Sequence, residues 1–303
     1  MSLKKKILIT GATGFIGSHL ADYLSKRGGR IRCIVRKNSN LNWLKKINVE
    51  CVYADLLNPL TLKKAVKNID VIYHLAGLVR ATNPSQLYKV NCKGTKNLVD
   101  SVMDLNLTKF VYVSSQAAWG PENAGPVSKY GRSKKISERY VKSLENYSIV
   151  RPVAVYGPRD KDFLPLFKMA KSGFFIQPRN CGKLNFTYVK DCVRGIVTSE
   201  LDKESFLSDG KDYTWEDVKK TFEKTINRKI LSVKLPCSLV RLSGCVGEVV
   251  GKLRGTPVSL NNDKVREMLA GNWVVPQTSF SGGVTLEEGF ENTYKWYKEN
   301  SWL

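Results

Sequence analysis

A short apolar run, Ile7-Leu-Ile9, ends in Thr10-Gly11, and glycines recur at 14 and 17 as a helical pattern begins at Phe15. No other stretch constrains the fold as much. It reads as strand, tight turn and helix: Gly11 permits the turn, Gly14 lets backbone N–H groups approach an anion, and Gly17 lets the helix lie close to the strand. The helix N-terminus favours the same anion. The spacing is G-x-x-G-x-x-G rather than G-x-G-x-x-G, and the ligand it suits is the pyrophosphate of a dinucleotide.

The unit then repeats along the chain. Lysines 4–6 lead directly into the first strand, and apolar residues at 15, 16, 20, 21 and 24 make a helical stripe that Gly28-Gly29 stops. Ile31–Val35 is a second buried strand, Val49–Ala54 a third, Val71–Leu75 a fourth and Phe110–Val113 a fifth. Helices are expected over 59–67, opened by Pro59, and over 91–103. Strands alternating with helices in this way make a doubly wound parallel α/β sheet, with the ligand beyond the strands' carboxyl ends.

Thr10, Arg36, Asp55, Ala76 and Ser115 stand at those ends. An acid after the second strand would suit the ribose hydroxyls of NAD; Arg36, followed by Lys37, suits the 2′-phosphate of NADP, which is therefore favoured over NAD. Asp55 either accepts from the adenine amino group or caps its own loop. His74 reads as a satisfied strand-end residue rather than a catalyst.

A second informative stretch, Pro126-Val-Ser-Lys-Tyr130-Gly-Arg-Ser-Lys134, opens a helix reaching about 144. Tyr130 and Lys134, four apart, share one helical face. An ammonium and an oxidised nicotinamide beside the phenol would draw its pKa down from ~10 toward working pH. Such a phenol exchanges a proton with a secondary alcohol or ketone during hydride transfer, and Ser115 can hold the same oxygen.

Gly11-Ala-Thr-Gly-Phe-Ile-Gly17, Asp55-Leu56, His74-Leu-Ala-Gly77, Val90-Asn91 with Gly94-Thr95, Val113-Ser-Ser115, Tyr130-x-x-x-Lys134 and Arg151-Pro-Val-Ala-Val-Tyr-Gly-Pro158 occur in order. Over residues 6 to about 195 the chain resembles the extended short-chain dehydrogenase/reductases, the NAD(P)-dependent epimerase/dehydratase family. The resemblance implies a Rossmann-type doubly wound parallel sheet with a smaller C-terminal α+β substrate cap. It implies Ser115, Tyr130 and Lys134 as the catalytic triad, with Asn91 in the helix bordering the site. The dinucleotide would lie on Gly11, Thr13, Gly14, Phe15, Ile16, Gly17, Arg36, Asp55, Leu56, Leu75, Ala76 and Gly77. Tyr130, Lys134, Pro152, Val153 and Val155 would flank the nicotinamide.

Two departures bear on the reaction. Trp119 stands where the family commonly has tyrosine before Gly120, and Gln116-Ala117-Ala118 lacks the acidic pair of the dehydratase branch, which disfavours sugar dehydration. Leu184-Asn185-Phe186 replaces the Arg-Asp-Phe-type sequence usual with nucleotide sugars. The expected division is a dinucleotide-binding domain over 1–160 with a return segment at 184–202, and a substrate cap from 161–183 and 203–303. Within that return segment Asp191 is expected to cap the following helix.

In the cap, helices are expected over 163–171, 215–225, 236–253 and 286–302, and a strand over 231–235. The 236–253 helix is apolar on one side yet carries Arg241, Glu248 and three glycines, so it reads as a cap helix that covers an apolar pocket or packs on the core rather than as a membrane span. Interfacial membrane contact, encouraged by Arg228, Lys229, Lys252 and Arg254, is the less favoured alternative. The pattern looks closest to the dihydroflavonol-reductase, 3β-hydroxysteroid-dehydrogenase and hopanoid-associated epimerase neighbourhood.

Composition narrows the remaining classes. Forty-nine Lys and Arg against 27 Asp and Glu give a net charge of +22, but the bases are spread along the chain, which argues a lysine-rich surface rather than a nucleic-acid site. Seven scattered cysteines suit free thiols in a reducing, cytoplasmic setting. Two histidines leave little for a metal site, and none is expected. The reading is an oxidoreductase acting on a small-molecule secondary alcohol or ketone, as a reductase or dehydrogenase. A nucleotide-sugar epimerase with retained cofactor and a non-catalytic NADP-binding regulator are the alternatives, and the resemblance implies a homodimer.

Overall fold

The computed structural model describes residues 5–179, 181–276 and 283–303; Lys4 lies outside them. The first half runs β1 (Lys6–Thr10), α1 (Phe15–Ser25), β2 (Arg30–Val35), β3 (Glu50–Tyr53), α2 (Pro59–Ala65), β4 (Val71–His74), α3 (Ser85–Leu87), a π turn (Tyr88–Lys93), α4 (Gly94–Asp100), β5 (Lys109–Val113), α5 (Lys129–Val141) and β6 (Tyr147–Pro152). The rest runs β7 (Ala154–Tyr156), α6 (Leu164–Lys171), β8 (Phe174–Pro178), β9 (Phe186–Tyr188), α7 (Val189–Thr198), β10 (Glu204–Leu207), α8 (Trp215–Ile226), β11 (Leu231–Leu235), α9 (Cys237–Leu253), α10 (Asn262–Met268) and α11 (Leu286–Glu299).

Seven parallel strands form the main sheet in the order β10-β6-β5-β4-β1-β2-β3. Successive side chains on a strand point to opposite faces. Leu8 therefore joins Ile72, Phe110 and Ile149 in one buried layer, while Ile9 joins Leu20, Val111 and Ile196 in the other. Helices cover both faces, so the strands read as nearly unbroken apolar runs. The strand path reverses at β1, which pairs with β2 on one side and β4 on the other. A crevice between the carboxyl ends of β1 and β4 is the consequence, and ligands of such sheets bind there.

The later elements build a third core of aromatic side chains, among them Tyr156, Phe167, Phe175, Phe222, Phe290 and Tyr297. Phe167 meets Phe222 edge-on at 4.9 Å between ring centres. Two small parallel sheets, β7 with β9 and β8 with β11, frame this core.

Several expectations change. The return segment expected at 184–202 opens with a strand of only three residues, which pairs with β7 rather than entering the main sheet. The strand that does enter is β10, beyond the expected boundary at 202, and it lies beside β6. Asp191 does not cap α7: it sits in the first turn, ion-pairs with Arg194 and accepts from the backbone N–H of Val284 at 2.8 Å. It thus ties the C-terminal segment to α7. The helix expected over 91–103 begins instead in the π turn and ends at Asp100.

Candidate active site

The glycine turn has the geometry its spacing asks for. Gly11 has φ +75°, and a Cβ there would lie 2.7 Å from the backbone nitrogen of Ala76. A Cβ on Gly17 would lie 2.1 Å from the Gly11 carbonyl oxygen, so α1 approaches β1 as closely as backbone allows. Gly14 stands at the N-cap of α1 and offers no capping side chain, leaving the first-turn amides of that helix, at Phe15 and Ile16, to another acceptor. Thr13 is half-buried within the same turn. Across the crevice, the N–H of Ala76 donates to the Thr10 hydroxyl at 3.2 Å, which holds Leu75, Ala76 and Gly77 against β1.

Arg36 is exposed just beyond β2. Asp55 caps its own loop, one carboxylate oxygen accepting from the N–H of Leu57 at 2.8 Å, with Leu56 buried behind. A glycine cradle that a Cβ would fill and an uncapped helix start together fit the pyrophosphate of a dinucleotide.

His74 is fully buried, with Nδ1 2.6 Å from the Thr10 hydroxyl and Nε2 2.9 Å from that of Thr95. Both nitrogens are satisfied, as expected for a structural residue. Burial lowers its pKa from 6.5 to about 3, helped by the charge of Lys134. The unfolded chain therefore binds one more proton between those values. Stability from this residue is complete above pH 6.5 and falls as the pH drops, by about tenfold in the unfolding constant per unit. The His74→Asn variant should lack that one-proton slope when urea midpoints at pH 7 and 5 are compared with wild type; equal slopes would contradict the assignment.

The serine pair divides its labour. Ser114 is buried and donates to Glu138 at 2.7 Å, whereas Ser115 accepts from the N–H of Ala117 at 3.1 Å and faces the same cavity as Tyr130. Tyr130 rises from the first turn of α5, which Ser128 caps through the N–H of Gly131 at 2.9 Å. A turn later, Lys134 is buried, donates from Nζ to the Val113 carbonyl at 2.7 Å and lies 4.2 Å from the centre of the Tyr112 ring. A Cβ on Gly77 would come 4.0 Å from that Nζ.

The expected fall in the Tyr130 pKa does not occur in the protein by itself. Burial pushes the phenol up to about 12, with the charges of Glu267 and Asp162 adding to the rise and Ser115 opposing it. Burial also lowers Lys134 to about 7, against the pull of Glu138.

Asn91, in the π turn, holds the loop after β4. Its Oδ1 accepts from Leu78 N–H at 2.7 Å, while Nδ2 donates to Leu78 O at 2.9 Å and Ser133 Oγ at 2.8 Å. Such a turn inserts one residue into a helix and recurs at functional sites.

Ser115 and Tyr130 share the wall of a cavity of ≈ 770 Å³ with Val79, Leu87, Val153, Phe163, Phe186, Trp215 and Leu260. Of the expected nicotinamide-flanking residues, Val153 reaches that wall, while Pro152 ends β6 and Val155 lies within β7. The roof comes from α9 and α10. Gly247, Glu248 and Gly251 face inward, and the Asp263 carboxylate accepts from the N–H of Lys129 at 2.8 Å, at the start of the helix that carries Tyr130. Arg80 ties roof to floor by donating to Ser259 at 2.8 Å and pairing with Asp162.

Sequence reasoning does not find Asp263 or the role of Gln116. Asp263 carries no local signal linking it to Tyr130, 133 residues earlier. Gln116 stands out in the sequence only as a departure from the family pattern, yet it lines the cavity while its Nε2 is buried without a hydrogen-bond partner among the described residues.

Among known proteins, a profile described as the NAD dependent epimerase/dehydratase family matches residues 7–207. The chain is 29% identical over 310 residues to a ceramide reductase of Caulobacter vibrioides, covering 98% of this chain and 96% of that one. It is 26% identical over 331 residues to UDP-glucose 4-epimerase of Vibrio cholerae, covering 96% and 95%. UDP-glucuronic acid 4-epimerase from Bacillus cereus, solved with UDP-glucuronic acid and NAD, aligns with a TM-score of 0.72 at 25% identity over 97% and 99% of the two chains.

Proposed function

The chain belongs to the NAD dependent epimerase/dehydratase family, and from that premise we propose that it is a reductase or dehydrogenase for a ketone or secondary alcohol on a lipophilic molecule. The observation that carries this reading is the cavity, in which Ser115 and Tyr130 meet walls of Phe163, Phe186, Trp215 and Leu260. Although Arg80, Glu248 and Glu267 also border the cavity, apolar walls of this extent suit a substrate that buries hydrocarbon and presents an oxygen to Ser115 and Tyr130. Similarity to a ceramide reductase along nearly the whole chain supports a substrate of that kind. In this reading residues 161–183 and 208–303 supply the substrate half.

A bound nicotinamide dinucleotide would supply the hydride chemistry at the carbinol carbon. The chain's own work is proton handling and positioning. Tyr130 gives its phenolic proton to the carbonyl oxygen during reduction and takes one from the alcohol during oxidation. Ser115 donates to that same oxygen and fixes its approach. Lys134, beside Gly77, would hold the dinucleotide's ribose and place positive charge near the phenol. The orphaned Gln116 amide would donate to a second substrate oxygen, which its burial makes worth satisfying.

Arg36 would receive the 2′-phosphate of NADP. Losing a hydrogen bond to a charged group costs roughly 1.5–3 kcal/mol, so Arg36→Asp is expected to weaken NADP⁺ by about 10- to 100-fold in calorimetric titration and to leave NAD⁺ near its wild-type affinity. Equal loss for both nucleotides would remove the assignment.

The second reading, a nucleotide-sugar epimerase that keeps its dinucleotide, draws on the similarity to UDP-glucose 4-epimerase. The two separate experimentally. Acid release identifies any nucleotide that copurifies, after which the protein is assayed with a long-chain ketone plus NADPH and with UDP-glucose. Nucleotide oxidation on the ketone alone supports the reductase; sugar epimerisation with tightly held NAD and no ketone turnover overturns it.

A further inference from the structure

Helix α9 has two faces with different company. Its inner face, at Val240, Gly244 and Gly251, is buried, and Gly247, Glu248 and Gly251 line the cavity roof. Its outer face carries Leu239, Leu242, Val246, Val249 and Leu253, which are 49%, 58%, 54%, 56% and 83% exposed. These residues recur at alternating steps of three and four, so they form one unbroken stripe along the side opposite the cavity. A row of five large apolar side chains left in water on a single helix marks an interaction surface rather than ordinary scatter. The strand that feeds the helix continues the theme, because Leu231 and its pairing partner Phe174 are also exposed, at 62% and 47%.

Charge decides the occupant. Between residues 228 and 254 the chain has six bases, Arg228, Lys229, Lys234, Arg241, Lys252 and Arg254, and one acid, Glu248. A two-fold contact between copies of this face would set like charges together. An anionic bilayer instead meets the bases with its headgroups and the leucines and valines with its acyl boundary, the arrangement of helices that lie in a membrane interface.

We propose that the outer face of α9 docks on an anionic lipid surface and thereby sets the cavity roof at the bilayer, where a lipophilic substrate resides. The docking rests on this face alone; its role in substrate entry rests on the proposed reductase function. No described helix is long and apolar enough to cross a membrane, so the contact is interfacial.

The test is flotation of the full chain with vesicles of equal parts phosphatidylglycerol and phosphatidylcholine, and with phosphatidylcholine alone. Wild type is expected to float with the anionic vesicles only. The paired variant Val246→Glu, Val249→Glu is expected to lose on the order of tenfold of the bound fraction. Both positions are more than half exposed, so thermal melting and calorimetric dinucleotide binding should stay at wild-type values. Absence of flotation overturns docking, as does equal flotation of the variant. A vesicle-free dimer that the variant splits would assign the face to a second copy and overturn it too. Ketone turnover without flotation would leave the proposed function standing and remove docking; flotation without ketone turnover would do the reverse.

Discussion

Tyr130→Phe is expected to lower turnover by about 10²- to 10⁴-fold, the usual contribution of a positioned acid or base. The substitution keeps the ring that packs in the cavity wall and removes only the hydroxyl. Dinucleotide affinity and the urea midpoint should therefore remain at wild-type values, which separates lost proton transfer from lost structure. The raised phenol pKa gives the loss a direction with pH. With the phenol held at about 12, Tyr130 carries its proton throughout the neutral range, and ketone reduction finds its acid ready. Alcohol oxidation needs the phenolate and should climb with pH in wild type, a climb the variant lacks. Turnover within tenfold of wild type would sink the assignment of Tyr130.

The second large effect lies beneath the site, in a buried ion pair. Arg151 and Glu138 are each 1% exposed and meet in a two-pronged contact, Nε to Oε1 and Nη2 to Oε2, both at 2.7 Å. Ser114 donates to the same carboxylate and Glu204 pairs with the same guanidinium, while Trp119 lies 5.4 Å away across its ring. Arg151→Met would leave Glu138 charged and enclosed, with Ser114, Lys135 at 3.6 Å and the charge of Lys134 to oppose it. Breaking one side of such a pair costs about 3–5 kcal/mol. Against a typical total of roughly 5–15 kcal/mol that is a large share. Replacing both partners, Arg151→Met with Glu138→Leu, should recover most of the loss, because an apolar pair of similar volume needs no counter-charge. Urea midpoints of the single and double variants test this. A single variant as stable as wild type, or a double variant no better than the single, would contradict it.

How much of the fold and site is legible in the sequence depends on how local each signal is. Gly11, Gly14 and Gly17 announce the crevice because a turn, a close approach and a helix contact are all made within seven residues. Arg36, Ala76 and Ser115 can be placed from sequence because strand ends are set directly by apolar runs. Strand β10 is different: Glu204-Ser-Phe-Leu207 has two buried residues, and only its fit beside β6 makes it a strand. The difference between Ser114 and Ser115 likewise depends on Glu138, 24 residues later. Helical spacing puts Tyr130 and Lys134 on one face, yet the ammonium is committed to the Val113 carbonyl and the phenol answers mainly to burial. Desolvation is a property of everything packed around a group, and no spacing rule contains it.

The edge position of β10 also shapes how the chain is made. Its partner β6 ends at Pro152, but β10 is complete only at Leu207. At roughly 5–20 residues per second of synthesis, a nascent chain holds β6 open for some seconds. During that interval the outer edge of β6 offers unpaired N–H and C=O groups to any neighbouring strand, and Arg151 has yet to meet Glu204. A chain stalled on the ribosome before codon 204 would therefore hold six of the seven strands of the main sheet but present a sticky edge, and chaperone demand should peak in that window.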